Sequence, residues 1–247
     1  MRYFLELAYL GTAYHGWQRQ PNAVSVQEKI EEVLTRLLQQ NIEIVGAGRT
    51  DAGVHAKQLF AHFDADVILD AEEIKFKMNS MLPKDIAIID IFEVRLDAHA
   101  RFDALSRSYE YHVIQHKDPF VLDKAFYLKK DLDITKMNEA AEILRTYTNF
   151  KCFSKSRTDV KTYNCKIESA VWKRSGDLLV FRITADRFLR NMVRAIVGTL
   201  LEIGQGKSSV DNLHEIIKSE DRGRAGTSVP AQGLFLTEIK YPKIAVA

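Results

Sequence analysis

A glycine-rich segment between two short apolar runs most constrains the fold of this chain. It spans 46–56 and contains three glycines within eight residues, which is typical of a backbone that needs positive φ or a close approach. The run before it, 41–45, is rich in β-branched residues, and the run after it, 58–64, has the two-residue period of a strand. We therefore expect a tight loop between two strands, with Arg49 and Asp51 as a pair of opposite charges among small residues.

Capping residues and periodicity predict where helices begin. Ser25 and Glu28 form a capping box that predicts a helix from Val26, and Asp70 is expected to cap a second helix. A further helix is expected over 134–145.

The segment from Arg187 carries the strongest helical pattern of the chain, because its apolar side chains recur at helical spacing. Arg187, Arg190 and Arg194 are three and four residues apart, so a helix that began at Arg187 would carry them on one basic stripe. Such a stripe is usually a solvated face, and the residues alone leave its role open.

The strand-like and helix-like segments repeat in two halves of similar plan. We expect an α/β protein of the α+β type with two similar subdomains, 1–104 and 105–247, each a mostly antiparallel sheet backed by helices. The continuous apolar run 86–89 opens a strand over 86–94 and indicates burial on both faces. The other expected strands are 2–9, 165–174, 177–186, 233–241 and one that carries Tyr109 and Tyr111.

The composition is that of an ordinary globular chain, with 247 residues, 46% of them hydrophobic and 28% charged. Glu6 interrupts the N-terminal segment before an apolar core develops, and no run approaches the ~18 apolar residues of a membrane span. Cys152 and Cys165 lack Cys-x-x-Cys spacing and are expected to be reduced thiols. We therefore expect a cytoplasmic protein with no signal peptide and no membrane span.

The sequence predicts no metal site and only a weak overall charge. His112 and His116 are four residues apart, but on a strand such a pair lies too far apart to chelate one ion. The net charge is +2, so binding to RNA would depend on local clusters of basic residues. Two clusters, at 14–20 and 150–157, combine basic with aromatic residues and are candidate RNA contacts through stacking and phosphate pairing.

The central loop also carries a family signature. Residues 48–56 read Gly-Arg-Thr-Asp-Ala-Gly-Val-His-Ala, which resembles the signature loop of the tRNA pseudouridine synthase A (TruA) family. A match of nine residues is far more specific than a short glycine motif. Other segments resemble the same family and extend the likeness over nearly the whole chain: 16–20, 79–86, 99–111, 192–194 and 230–236.

The resemblance implies a role for five residues. Asp51 falls on the family's catalytic nucleophile, and Arg194 falls on the arginine that pairs with it. Tyr109 falls on a tyrosine that contacts the target base, and Leu234 would form an apolar floor under the uracil. Arg49 would fill the gap left by a flipped base or hold a phosphate.

The resemblance further implies the conversion of uridine to pseudouridine, in which the base is cut from C1′ of its ribose, turned and rejoined through C5. This requires an ionised carboxylate, an apolar pocket and a base held out of the stack, and it requires no cofactor and no metal. Whether Asp51 attacks the sugar or acts as a base at C2′ stays open. The family also implies a homodimer with its active-site cleft between the subdomains, and uridines 38 to 40 of the tRNA anticodon stem-loop as targets.

Two alternatives come from other functional classes. A non-catalytic RNA-binding or RNA-folding protein would use the same scaffold, but an intact set of Asp51, Arg194 and Tyr109 favours the enzyme. A nucleotide site built on 46–48 lacks the third glycine and the following helix of a dinucleotide-binding loop.

Overall fold

The computed structural model describes residues 1–68, 70–155 and 160–242 of the chain. The chain divides into two compact units, one of Met1–Leu105 with the segment from Leu236 onward, and the other of Ser106–Phe235. Each unit contains helices and a largely antiparallel set of strands, so the expected mixed α/β class is confirmed.

The first unit is built on a central antiparallel strand. Its elements are β1 (Arg2–Tyr9), α1 (Val26–Leu38), β2 (Val45–Gly46), β3 (His55–Asp64), α2 (Ala71–Met81) and β4 (Ile86–Val94). Strand β1 pairs with β3 on one side and with β4 on the other, and β2 pairs with the second half of β3, at Ala61 and His62. Leu5 and Leu7 of β1 are fully buried on one face and Phe4 on the other, so both faces of this strand contribute to the core of the unit.

The second unit has a similar arrangement. Its elements are β5 (Ser106–Ile114), β6 (Phe126–Tyr127), α3 (Ile134–Ile143), β7 (Ile167–Ser175), β8 (Leu178–Ala185), α4 (Met192–Gly204) and α5 (Asn212–Ser219). Strand β8 lies between β5 and β7 and is antiparallel to both, whereas the short β6 is parallel to β5. Helix α4 is buried on nearly every side, which accounts for the strength of its apolar pattern.

The last strand, β9 (Leu234–Lys240), begins in the second unit and continues in the first. Ile239 N–H donates to Gln58 Oε1 (2.8 Å), and Leu105 N–H donates to Lys240 O (2.7 Å). Through these bonds β9 belongs mostly to the first unit, whereas we expected from the sequence that all of 105–247 would form the second subdomain. The change of unit at Leu105 is one residue after the expected boundary.

The helix starts that the sequence marked by capping residues are confirmed. Ser25 Oγ accepts a hydrogen bond from Glu28 N–H (3.2 Å) at the start of α1. Asp70 Oδ1 accepts one from Glu73 N–H (3.0 Å) at the start of α2. Each cap satisfies a backbone donor that has no partner within its helix.

The strand expected over 41–45 is wrong except at its end, since only Val45–Gly46 pairs with β3. Ile44 N–H donates instead to Glu31 Oε1 (3.0 Å), and Gln27 Nε2 donates to Ile44 O (3.1 Å). Side chains of α1 therefore bond the backbone groups that a strand partner would have used.

Strand β4 was predicted correctly, but its expected burial on both faces is wrong. Ile86 and Ile88 are buried, whereas Ala87 and Ile89 are exposed. Helix α2 covers one face of this strand, and among the described strands β4 stands last in the order of its sheet. An apolar run therefore does not by itself distinguish a strand with one buried face from a strand with two.

Both cysteine thiols are buried, and burial raises the pKa of Cys152 and of Cys165 to about 12. Across the ranges that the structure describes, no cluster of three or more His, Cys, Asp or Glu residues is arranged to hold a metal ion. In the same ranges, no helix has both the length and the apolar character that crossing a membrane requires.

Candidate active site

Asp51 occupies the first position of a tight turn in the loop between β2 and β3, and its side chain is half-buried. Val54 N–H donates to Asp51 O (3.2 Å), and Gly53 has a φ of 77°. A positive φ at the third position is the requirement of a type II turn, so this glycine closes the loop without strain. The predicted tight loop is confirmed.

Two glycines from the segment after β1 bring their backbone directly against this turn. A Cβ atom on Gly11 would lie 2.0 Å from Val54 O, and one on Gly16 would lie 2.3 Å from Thr50 O. Gly16 also has a φ of 93°, which favours glycine for a second reason. The loop that carries Asp51 is thus packed against a backbone with no room for a side chain.

Hydrogen bonds complete the support of this loop. Tyr9 Oη and Thr50 Oγ1 are 2.8 Å apart, and Gly11 N–H donates to Nδ1 of the buried His55 (2.9 Å). Gly53 N–H donates to Tyr14 O (3.3 Å). The residues on both sides of Asp51 therefore have fixed positions, which fixes the backbone that carries its carboxylate.

Arg49 is exposed, and its Nε donates to Gln18 Oε1 (3.0 Å). Together with Gly48, Arg19 and Arg101 it lines a cavity of about 520 Å³ in the first unit. Arg49 and Asp51, the pair of opposite charges expected from the sequence, both lie in the loop between β2 and β3. The arginine of this pair lines the cavity.

The aromatic side chains of the 14–20 segment do not face solvent. Tyr14 is 6% and Trp17 is 1% exposed, and a Cβ atom on Gly46 would lie 2.4 Å from Trp17 Nε1. The expectation that these rings stack on RNA bases is therefore wrong, because both belong to the core. Arg19 is exposed on the same segment.

The second basic and aromatic segment, 150–157, follows the same pattern. Phe150 and Phe153 are fully buried, and Lys151 is exposed. Ser156 and Arg157 lie outside the described residues.

In the second unit, Tyr109 lies on β5 and is half-buried. Its ring meets the ring of Phe188 edge to face, with the centroids 5.1 Å apart and an interplanar angle of 88°. Leu234 is 6% exposed at the start of β9. The Tyr111 hydroxyl donates to Pro230 O (2.8 Å), which fixes the segment before Leu234.

Helix α4 begins at Met192, five residues later than the sequence predicted. Asn191 has a left-handed conformation, with a φ of 66°, which does not occur inside a right-handed helix. Arg187 and Arg190 therefore lie before the helix, and the prediction that they share a helical stripe with Arg194 is wrong.

Arg194 is half-buried in the first turn of α4. Its Nε donates to Val229 O (2.7 Å), and Val229 N–H donates back to Arg194 O (3.2 Å). This reciprocal pair of bonds holds both the backbone and the side chain of Arg194 to one residue of the segment before β9.

Sequence reasoning missed the residues that support these two groups. Gly11 and Gly16 stand five residues apart after β1, and their spacing near a glycine-rich loop was a usable signal. His55 lies within the family signature at 48–56, but its supporting role was not predicted, and Tyr9 gave no signal because a tyrosine at a strand end is common in cores.

Comparison with known proteins gives a consistent result. A sequence model of a family described as tRNA pseudouridine synthase matches residues 7–103 and 140–242. A tRNA pseudouridine synthase A of Parabacteroides distasonis is 52% identical over 243 residues, which cover 98% of this chain and 96% of that protein.

Further relatives cover the same length. A tRNA pseudouridine synthase A of Bacteroides fragilis is 51% identical over 98% of this chain and 97% of its own. A protein of Clostridium perfringens named tRNA pseudouridine synthase A 2 is 38% identical over 96% of this chain and 98% of its own. The family predicted from the sequence is confirmed by these matches.

Proposed function

The chain belongs to the tRNA pseudouridine synthase A family and isomerises uridine to pseudouridine in tRNA; we propose that Asp51 is the nucleophile of this reaction. The observation that carries the proposal is the turn at 51–54, in which a half-buried carboxylate stands on a backbone packed against glycines. A carboxylate on a rigid backbone loses little conformational entropy when it reaches the transition state.

The reaction breaks the C1′–N1 and C5–H bonds and forms the C1′–C5 and N1–H bonds. A carboxylate that acts as the nucleophile must be ionised beside the sugar. We assign this support to Arg194, as the family resemblance does. A guanidinium keeps its charge when buried, and its planar fork matches a carboxylate better than an ammonium does. The bond from Arg194 Nε to Val229 O leaves the direction of the guanidinium well defined.

The remaining roles concern the base. Tyr109 would contact the target uracil through its ring or hydroxyl, and Leu234 would form the apolar floor beneath it. Arg49 would fill the gap in the RNA stack or bind a phosphate, and its exposure beside a cavity supports either action. Extrusion of a base costs a few kcal/mol, and such contacts would offset that cost.

We place the target in the anticodon stem-loop, at uridines 38 to 40, and propose that the protein acts in the cytoplasm as a homodimer with one tRNA across both protomers. These statements follow from the family resemblance of the whole chain. The net charge of +2 means that tRNA affinity would come from clustered arginines and lysines, and it should fall as salt rises.

The family matches favour the enzyme over the non-catalytic RNA-binding alternative, and Asp51→Asn tests whether Asp51 is the nucleophile. Asn has nearly the shape of Asp, so the turn should keep its fold. Its neutral amide is a poor nucleophile and a poor base, so pseudouridine formation should fall by at least about 10³-fold. Binding of tRNA should be equal or tighter, because one negative charge is removed from a site that faces phosphates.

The control is Asp177→Asn, which makes the same change of charge in an exposed turn of the second unit. It should retain normal activity and tRNA binding. Thermal melting of both variants shows whether they are folded. A folded Asp51→Asn protein that forms pseudouridine at the normal rate would contradict the assignment of the nucleophile.

A further inference from the structure

A short segment of the second unit, 225–229, lies directly on the backbone of α4. A Cβ atom on Gly198 would lie 1.9 Å from Thr227 O, which allows no side chain between the segment and the helix. Gly226 N–H donates to Thr199 Oγ1 (2.9 Å), a bond between buried groups. The helix therefore fixes the middle of this segment through backbone packing.

The hydroxyl of Ser228 joins three parts of this unit. Ser228 Oγ accepts hydrogen bonds from Asn191 Nδ2 (2.6 Å) and from Arg222 Nη2 (2.8 Å). The other terminal nitrogen of Arg222 lies 3.2 Å from both Ala225 O and Gly226 O. One guanidinium thus binds the segment at three acceptors, and Asn191, the left-handed residue before α4, binds it at the same hydroxyl.

The residue after this serine is the one that holds Arg194. Val229 makes two hydrogen bonds with Arg194: its N–H donates to Arg194 O, and its carbonyl oxygen accepts from Arg194 Nε. A displacement of Ser228 would move Val229 O, and with it the acceptor that orients the guanidinium of Arg194.

We propose that Arg222, Ser228 and Asn191 are positioning residues that set the direction of the Arg194 guanidinium for the isomerisation. They act through Arg194 and not on the uridine itself. The inference rests on the proposed role of Arg194. It adds that three residues hold the 225–229 segment and, through this segment, orient the guanidinium for that role.

Ser228→Ala tests this directly, because it removes the acceptor of both Asn191 and Arg222. We expect the single-turnover rate of pseudouridine formation on tRNA to fall about ten-fold, since a small misplacement of a catalytic group has effects of this size or larger. The dissociation constant for tRNA should change less than about two-fold and the melting temperature only slightly. Ser228→Thr keeps the hydroxyl and should recover most of the rate.

Ser208→Ala is the matched control. Its hydroxyl also accepts a side-chain amide, from Asn212 Nδ2 (2.9 Å), at a place in the same unit that has no bond to Arg194 among those described. Its rate should be normal. Arg222→Lys provides a second variant, because a lysine cannot reach three acceptors at once and should also lower the rate with little change in tRNA affinity.

Three results would overturn the proposal. Normal single-turnover rates in both Ser228→Ala and Arg222→Lys, together with an inactive Arg194→Lys, would refute the positioning role alone. Rates that fall only in proportion to folded protein or to bound tRNA would indicate a purely structural role. A fully active Arg194→Lys would remove the proposed role of Arg194 itself, and this inference with it.

Discussion

The two groups of site residues, one in each unit, are held by different kinds of contact. The loop with Asp51 is fixed by backbone packing, since Gly11 and Gly16 approach it more closely than any side chain allows. The side chain of Arg194 is held by a polar bond to Val229 O, and the segment that carries Val229 is held by the hydroxyl of Ser228 as well as by backbone packing of Thr227 O against Gly198.

The difference predicts opposite sensitivities to mutation. An added methyl group should damage the first group most, because the clash is with backbone atoms that cannot rotate away. A removed polar atom should damage the second group most, because its geometry depends on individual donors and acceptors. The following experiments test this contrast.

The largest effect is expected from Gly16→Ala. Its Cβ atom would clash with Thr50 O at 2.3 Å, and the alanine would have to adopt a φ of 93°. Overpacking costs about 1–3 kcal/mol and the unfavourable φ adds about 1 kcal/mol, so we expect a loss of roughly 2–4 kcal/mol in the free energy of unfolding. Denaturant unfolding measures it.

Gly48→Ala is the control, at a glycine of the loop that carries Asp51. A Cβ atom on Gly48 would meet no described heavy atom within 4 Å, apart from its chain neighbours, so its free energy of unfolding should stay within about 0.5 kcal/mol of wild type. Equal losses in the two variants would show that the loop is sensitive to any added methyl group, and the argument from close approach would fail.

The next largest effect is expected from Arg194→Lys. Lysine keeps the positive charge but has neither the Nε donor to Val229 O nor a planar fork for a carboxylate. We expect the single-turnover rate to fall roughly 10²-fold with little change in stability. Arg174→Lys, at an exposed arginine on β7, should be normal in the same assay, and normal turnover in both variants would show that Arg194 has no role in the reaction.

Whether a feature could be predicted from the sequence depends on how far apart in the chain its contacts lie. The α1 and α2 starts were predictable because Ser25 and Asp70 act on donors three residues away. The loop at Asp51 was predictable because its glycines and its family signature are contiguous. Local chemistry of this kind appears in the sequence as a pattern.

The features that failed depend on contacts distant in the chain. The strand expected over 41–45 is bonded instead by Glu31 and Gln27 of α1, and nothing in its β-branched residues indicates that competition. The early start predicted for α4 failed because Asn191 is left-handed, in a place where its side chain binds Ser228. The apolar residues keep a helical spacing from Leu189 onward, but the helix begins only at Met192, after the left-handed Asn191 that binds Ser228.

Acid should weaken the first unit, because the buried His62 accepts a hydrogen bond there through a ring nitrogen that protonation would occupy. Ala100 N–H donates to Nδ1 of the buried His62 (3.2 Å), much as Gly11 N–H does to His55. Burial lowers the pKa of His62 to about 4, with smaller contributions from Arg2 and His99 that exceed the opposing ones from Asp64 and Asp103.

The sign follows from proton binding. Between pH 6.5 and about 4 the unfolded state binds a proton at His62 and the folded state does not, so stability is complete above pH 6.5 and is lost as pH falls toward 4. We expect a loss of roughly 1–2 kcal/mol, after allowing for solvent screening. In His62→Asn, which keeps an acceptor that does not titrate, this part of the pH dependence of unfolding should disappear. An unchanged pH profile would show that His62 is not the titrating group.

The smallest effect is expected from a matched pair of tyrosine variants, one in each unit. The pair distinguishes a loss of stability from a loss of activity. Tyr9 in the first unit and Tyr147 in the second each make a side-chain hydrogen bond of 2.8 Å, to Thr50 Oγ1 and to His214 Nδ1. Replacement of either by Phe removes one hydroxyl, and each variant should lose about 1 kcal/mol in the free energy of unfolding.

Their activities should differ, because only the Tyr9 bond acts on the residue next to Asp51. Loss of that bond frees the Thr50 side chain, but the glycine contacts at 11 and 16 still hold the backbone. We therefore expect Tyr9→Phe to lower the single-turnover rate only about three-fold, while Tyr147→Phe leaves it unchanged. A much larger loss in Tyr9→Phe would mean that a polar bond, and not backbone packing, holds the loop of Asp51. The two units would then be supported in the same way, and the contrast between them would not stand.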